Sequence, residues 1–92
     1  MSRTARHLQI RGRVQGVFFR ASSRERAREV GATGWVRNCR DGSVELWVEG
    51  EPDAVETVVD WVHSGGPRAA RVEDVESDER EPEGLDDFEV RH

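Results

Sequence analysis

The chain has 92 residues, a net charge of −5, one cysteine and no lysine. That length supports one domain over residues 1–92 with one modest core, since short chains bury a smaller share of their surface, and the lone Cys39 leaves no internal disulfide to form. No apolar run is long enough to span a bilayer and no secretory leader pattern opens the sequence, so a soluble cytoplasmic protein without a membrane partner is expected.

The charge is unevenly spread. Residues 1–42 carry ten arginines against Glu25, Glu29 and Asp41, whereas residues 43–92 carry four arginines against sixteen acids. This distribution suits a small anion held in a local positive site better than a long polyanion, which the acidic half repels. The lysine-free, acidic composition fits adaptation to high salt and fits a codon bias toward arginine equally well.

Residues 1–6 are polar and are expected to lack order. Residues 7–13 alternate, with Leu8 and Ile10 on one face and His7, Gln9 and Arg11 on the other, the period of a half-buried strand. The next stretch, Gly12-Arg13-Val14-Gln15-Gly16-Val17-Phe18-Phe19-Arg20, runs from strand pattern into helix pattern through two glycines and ends on an arginine. A turn of this kind leaves backbone N–H groups without intrahelical partners at the positive end of a helix dipole, and an arginine there adds a planar fork of donors that matches phosphate oxygens. It reads as an anion cradle, in which Gly12 and Gly16 permit close backbone approach. Residues 21–30 predict a helix with Phe19, Ser23, Ala27 and Val30 on one face, stopped by Gly31.

Residues 33–38 and 43–49 flank Cys39-Arg40-Asp41-Gly42, a hairpin signal. Pro52 at a first helical position opens a second helix with Val55, Val58, Val59 and Val62 as its apolar stripe, and Gly65-Gly66-Pro67 ends it. Residues 70–77 predict a strand in which the odd spacing of Val72 and Val75 points to a bulge or a sheet edge. Residues 78–84 read as an acidic loop, and Phe88 and Val90 as a last short strand. The order βαββαβ plus a C-terminal strand implies an α+β fold: a ferredoxin-like split βαβ sandwich, an antiparallel sheet with two helices on one face.

The wording of the cradle, Gly-x-Val-Gln-Gly-Val-x-Phe-Arg, resembles the first signature of the acylphosphatase family. Gly34-Trp35-Val36-Arg37-Asn38 through Asp41-Gly42-Ser43-Val44 to Glu49-Gly50 resembles its second, in the expected order. The resemblance implies the same ferredoxin-like fold and hydrolysis of acyl phosphates to a carboxylate and inorganic phosphate. It assigns phosphate binding to Arg20 with the backbone amides of Gln15, Gly16, Val17, Phe18, Phe19 and Arg20, and assigns to Asn38 the positioning of the attacking water. The expected partners are a small acyl phosphate and inorganic phosphate, acted on by a monomer without cofactor, metal or nucleic acid.

Other chemistries are weaker in the residues. A thiolate phosphatase loop built on Cys39 requires an arginine six positions on, where Glu45 stands, and a phosphate loop of the nucleotide-binding type requires a lysine. His7, His63 and His92 lie apart, with no close-spaced ligand set for a metal. An RNA-binding sheet of the same topology displays open aromatics, but Trp47 lies between Glu45 and Glu49, and Trp35 and Trp61 read as packing residues. A non-catalytic anion or acyl-phosphate binding module stays open as the second reading, and the general base of a hydrolase is not legible.

Overall fold

The computed structural model describes residues 2–92 and orders them as β1 (Thr4–Arg13), α1 (Phe19–Glu29), β2 (Thr33–Asn38), β3 (Val44–Gly50), α2 (Pro52–His63), β4 (Arg71–Arg80) and β5 (Phe88–Arg91). One five-stranded sheet runs in the order β4-β1-β3-β2-β5. Side chains on a strand alternate between faces, so Leu8 and Ile10 of β1, Val36 of β2, and Val44, Leu46 and Val48 of β3 all meet the same layer. That layer comprises Phe19 and Ala27 of α1 with Val55, Val58, Val59 and Val62 of α2, and both helices therefore cover one face of the sheet.

Four strands are antiparallel to their neighbours, but β5 pairs with β2 in parallel, from Gly34 opposite Phe88 to Arg37 opposite Arg91. The sheet is thus mixed rather than wholly antiparallel. After β4 the chain reverses and arrives at the far edge, where the strand it meets runs the same way. Crossing from β4 to β5 spans four strand spacings, about 19 Å, and a seven-residue connection reaches about 24 Å when extended. Residues 81–87 therefore cross one end of the sheet with little more than the necessary length and one left-handed residue, Gly84.

Other boundaries also differ from the sequence reading. Residues 4–6, expected to lack order, belong to β1, where Thr4 pairs with Gly50 and Ala5 with Glu49 and Arg80; Met1 lies outside the described residues. Residues 78–80, expected in a loop, extend β4 by pairing with residues 5–7. The charged side chains of Asp78, Glu79 and Arg80 stand on an edge strand in water, so charge does not oppose the pairing and guards the edge against other chains. The anticipated bulge is present: Arg11 faces Asp74 while Gly12 faces Val72, leaving Glu73 as the extra residue.

The sheet face away from the helices closes over itself. Trp35 and Trp47 stack with centroids 6.3 Å apart and planes 13° apart, and Arg91 lies 4.9 Å above Trp35. Glu45 accepts hydrogen bonds from His7 at 2.5 Å and Arg37 at 2.6 Å. Burial pushes the Glu45 carboxyl up, yet the bonds from His7 and Arg37 bring it below the usual range. Trp47 is only 8% exposed and offers no stacking platform. On the helix side Trp61 packs on Phe19, with ring centroids 5.6 Å apart.

Glu49, which alternation placed with the solvent-facing residues, is fully buried at 0% exposure. Its carboxylate accepts from Trp47 Nε1 at 3.0 Å, Glu83 N at 2.8 Å and Leu85 N at 2.6 Å. Burial pushes its pKa up, but these N–H donors outweigh burial and hold it below the ordinary value. Glu49 is the staple that fastens the crossing loop to the sheet end. Because its folded pKa is depressed, its contribution is complete above the ordinary glutamate value of about 4.3 and is lost as pH falls through the lower folded value. Glu49→Gln keeps the shape but removes the charge, and is expected to cost about 1–3 kcal/mol, several degrees in Tm, at pH 7. The difference from the parent should shrink in acid, and a Tm gap constant from pH 7 to pH 3 would contradict the assignment.

Candidate active site

The opposite end of the sheet holds the β1–α1 turn, the β2–β3 turn and the end of β5. Two of the turn's residues take left-handed backbone: Gly16 at φ 72° and Phe18 at φ 64°, ψ 20°. Gly16 has no heavy atom within 4 Å of where a Cβ would lie, so its requirement is conformational. Gly12 is different: a Cβ there would stand 2.2 Å from the Arg71 carbonyl oxygen. Its lack of a side chain serves the close approach of β1 and β4 at the bulge, not the approach of a ligand.

α1 starts without a cap. The first ladder bond runs from Ser22 N to the Phe18 carbonyl at 2.9 Å, so the N–H groups of Phe19, Arg20 and Ala21 precede the ladder, and Phe18 at the N-cap supplies no oxygen to receive them. No acid occupies the first turn; a cation, Arg20, sits there, against the dipole by about 0.3–1 kcal/mol. Arg20 has no carboxylate partner among the described residues. Its Nη1 donates to His92 Nδ1 at 3.1 Å and approaches the Arg91 carbonyl at 3.5 Å; since guanidinium only donates, the imidazole nitrogen is the acceptor. These contacts tie one arm of the fork to the end of β5, and no other Arg20 donor has a partner among the described residues.

Asn38 ends β2 opposite Val44. The turn beyond it is fixed by other groups: Cys39 N donates to the Ser43 carbonyl at 2.8 Å, and Asp41 Oδ1 accepts from Ser43 N at 3.0 Å and Ser43 Oγ at 2.5 Å. The hydrogen bonds from Ser43 lower the Asp41 pKa. With Asp41 bracing the turn, no side-chain hydrogen bond among the described residues ties down the Asn38 amide.

Arg20, Asn38, Gly16, Phe18 and Phe19 line one cavity of about 500 Å³, within the roughly 300–1,000 Å³ of small-molecule sites. Of the other residues expected to bind phosphate, Val17 turns its side chain into the core. Gln15 turns its amide away, donating from Nε2 to the Cys39 carbonyl at 2.7 Å and the Ser43 carbonyl at 2.9 Å. The Gln15 side chain thus ties the cradle to the hairpin that bears Asn38. The sequence reading missed Arg24, Val90 and His92, which also line the cavity. Arg24 follows Arg20 by one helical turn and was open to periodicity, whereas Val90 and His92 arrive only through the parallel pairing of β5. Cys39 is half-buried, accepts from Gln9 Nε2 at 3.6 Å and does not line the cavity. More charged groups gather at the other sheet end, where Arg3, Arg6 and Arg80 mix with Glu56, Glu79 and Glu81 around a second hollow of about 320 Å³; Arg6 there is already held by Ser77 at 2.7 Å and Glu56 at 3.2 Å.

A family profile described as acylphosphatase matches residues 6–90. The chain belongs to the acylphosphatase family. It is 50% identical over 90 residues to an acylphosphatase of Haloquadratum walsbyi, covering 98% of this chain and 96% of that one. An acylphosphatase of Thermococcus kodakarensis is 52% identical over 90 residues, covering 98% of each. The solved structure of an acylphosphatase from Coxiella burnetii superposes with a TM-score of 0.91 at 43% identity, covering 97% of this chain and 93% of that one. The chain is accordingly an enzyme, an acylphosphatase that hydrolyses acyl phosphates.

In this acylphosphatase Gln15 is the turn residue whose side chain hydrogen-bonds the hairpin among the described residues, joining the loop to the segment that follows Asn38. Gln15→Ala removes a second hydrogen bond from each of two hairpin carbonyls that keep their bonds from Gly42 N and Cys39 N, and is expected to lose about 0.5–1.5 kcal/mol of stability together with turnover. Unchanged Tm and kcat in that variant would show that the two loops hold their places independently.

Proposed function

We propose that the cavity performs this hydrolysis with Arg20 and the backbone N–H groups of residues 15–20 on the phosphoryl oxygens and Asn38 on the attacking water. The observation that carries the reading is the meeting of Arg20 and Asn38 in one cavity at an uncapped helix N-terminus. An acyl phosphate already has a good carboxylate leaving group, so positioning and charge stabilisation suffice without a covalent nucleophile. Water oxygen attacks phosphorus, the bond from phosphorus to the acyl oxygen breaks, and the carboxylate leaves with that electron pair. No aspartate or glutamate lines the cavity, and we assign the water's proton to a phosphoryl oxygen of the substrate. The product is inorganic phosphate, which the same donors hold.

We further propose that the enzyme works as a cytoplasmic monomer on small acyl phosphates and needs no metal. One chain supplies every group of the cavity, and no helix among the described residues is long and apolar enough to cross a membrane. The guanidinium and the amides supply the positive charge that a metal would otherwise bring. Release of phosphate from acetyl phosphate should therefore persist with chelator present and be competitively inhibited by inorganic phosphate. Activity restored only by an added divalent ion would overturn this.

The two side chains should fail in different ways. Arg20→Gln removes a charged fork that touches phosphate in ground and transition states, so phosphate affinity and kcat both fall, by about 1.5–3 kcal/mol for a charge-assisted bond. Asn38→Ala leaves the cradle intact, so the inhibition constant of phosphate stays close to the parent while kcat collapses. With folding verified by circular dichroism, an Arg20→Gln variant that binds phosphate as tightly as the parent, or an Asn38→Ala variant with near-parent kcat, refutes the division of roles.

A further inference from the structure

Phe18 combines two features that the phosphate reading leaves without a purpose. It is 79% exposed, alone in this among the large hydrophobic side chains of the described residues. It also holds φ 64°, the left-handed region in which glycine or asparagine is at ease and a bulky side chain is an outlier. A single exposed hydrophobe is ordinary; one kept in water and in unfavourable backbone at once needs a compensating use, and such outliers gather at ligand sites.

The position of Phe18 identifies that use. Its backbone N–H belongs to the cradle, so its ring starts one Cα away from an amide assigned to the phosphoryl group. The acyl carbon of a bound substrate is joined to that phosphorus through a single oxygen, and Phe18 lines the cavity that would receive it. The cavity wall continues the apolar character, with Val14, Ala21 and Val90 beside Phe18 and Phe19. The charged lining residues, Arg20 and Arg24, are cations, which oppose an acyl group bearing an amine.

Resting on the acyl phosphate reading, we propose that Phe18 is the acyl-recognising residue of this enzyme and that it favours substrates with an apolar acyl group, aryl or branched alkyl, over acetyl. On binding, the ring gives up its water to the acyl group, and the preference appears in KM because the contact exists before the chemical step as well as during it.

The test compares kcat/KM for benzoyl phosphate and acetyl phosphate, read as a ratio so that any general loss from altering the loop cancels. The parent ratio is expected to favour benzoyl by about tenfold, and Phe18→Ala to erase most of that preference, whereas Phe18→Leu keeps much of it. A parent ratio near one, or the same ratio in Phe18→Ala as in the parent, overturns the proposal. Should Phe18→Ala fail to fold, inhibition of the parent by phenylphosphonate and methylphosphonate decides: the phenyl compound must bind more tightly, with ring resonances of Phe18 shifted by it and not by inorganic phosphate. If the parent releases phosphate from neither substrate, the hydrolase reading itself fails, and the two phosphonates still judge Phe18 separately.

Discussion

The passage of the chain from β1 into α1 constrains everything at the working end of the molecule. Within five residues the backbone must leave an extended strand, clear the sheet and begin a helix whose apolar side already faces the core through Phe19, Ser23 and Ala27. It does so through left-handed backbone at Gly16 and Phe18, of which the second costs about 1–3 kcal/mol. The geometry that makes the turn also denies α1 a capping side chain, so the same few residues produce the strain, the unpaired N–H groups and the cavity floor. An anion arriving there completes a helix terminus that is otherwise unfinished.

Much of this was legible from residue order, and the reasons for the exceptions are physical. Local chemistry set the Pro52 helix start, the Gly31 stop and the Asp41-Gly42 hairpin, and those elements stand where their residues imply. The bulge was legible because Val72 and Val75 cannot share a face in an unbroken register. Pairing partners far along the chain were not. Residues 4–6 and 78–80 look unstructured alone and become strand only by pairing with β3, β4 and β1. The parallel placement of β5 had no local signal, and with it Val90 and His92 stayed outside the expected site. Glu49 was misplaced for a similar reason: alternation gives the face of a strand but not what later crosses that face.

Gly12 and Gln15 show how a motif can be legible while its workings are not. Both belong to the stretch read as an anion cradle. In the structure Gly12 resolves a collision with the Arg71 backbone, and the Gln15 amide looks toward the hairpin. The motif thus contains an uncapped helix start and, beside it, joinery to the β2–β3 hairpin. A string of letters does not separate these roles, because each depends on which strand lies beside the residue.

The two ends of the sheet follow opposite rules. At one, Glu49 is buried with donors converging on its carboxylate, and the crossing loop is held in place. At the other, a helix begins uncapped, an arginine opposes the dipole and an aromatic ring stands in water. Local preferences agree with the fold wherever nothing must bind and disagree where a ligand completes the structure. In the proposed mode, phosphate would supply acceptors for the amides and a counter-charge for Arg20, and an apolar acyl group would cover Phe18. On that proposal, the features that look like defects in the isolated chain would define, by complement, a molecule with an anionic head and a greasy tail joined by one oxygen.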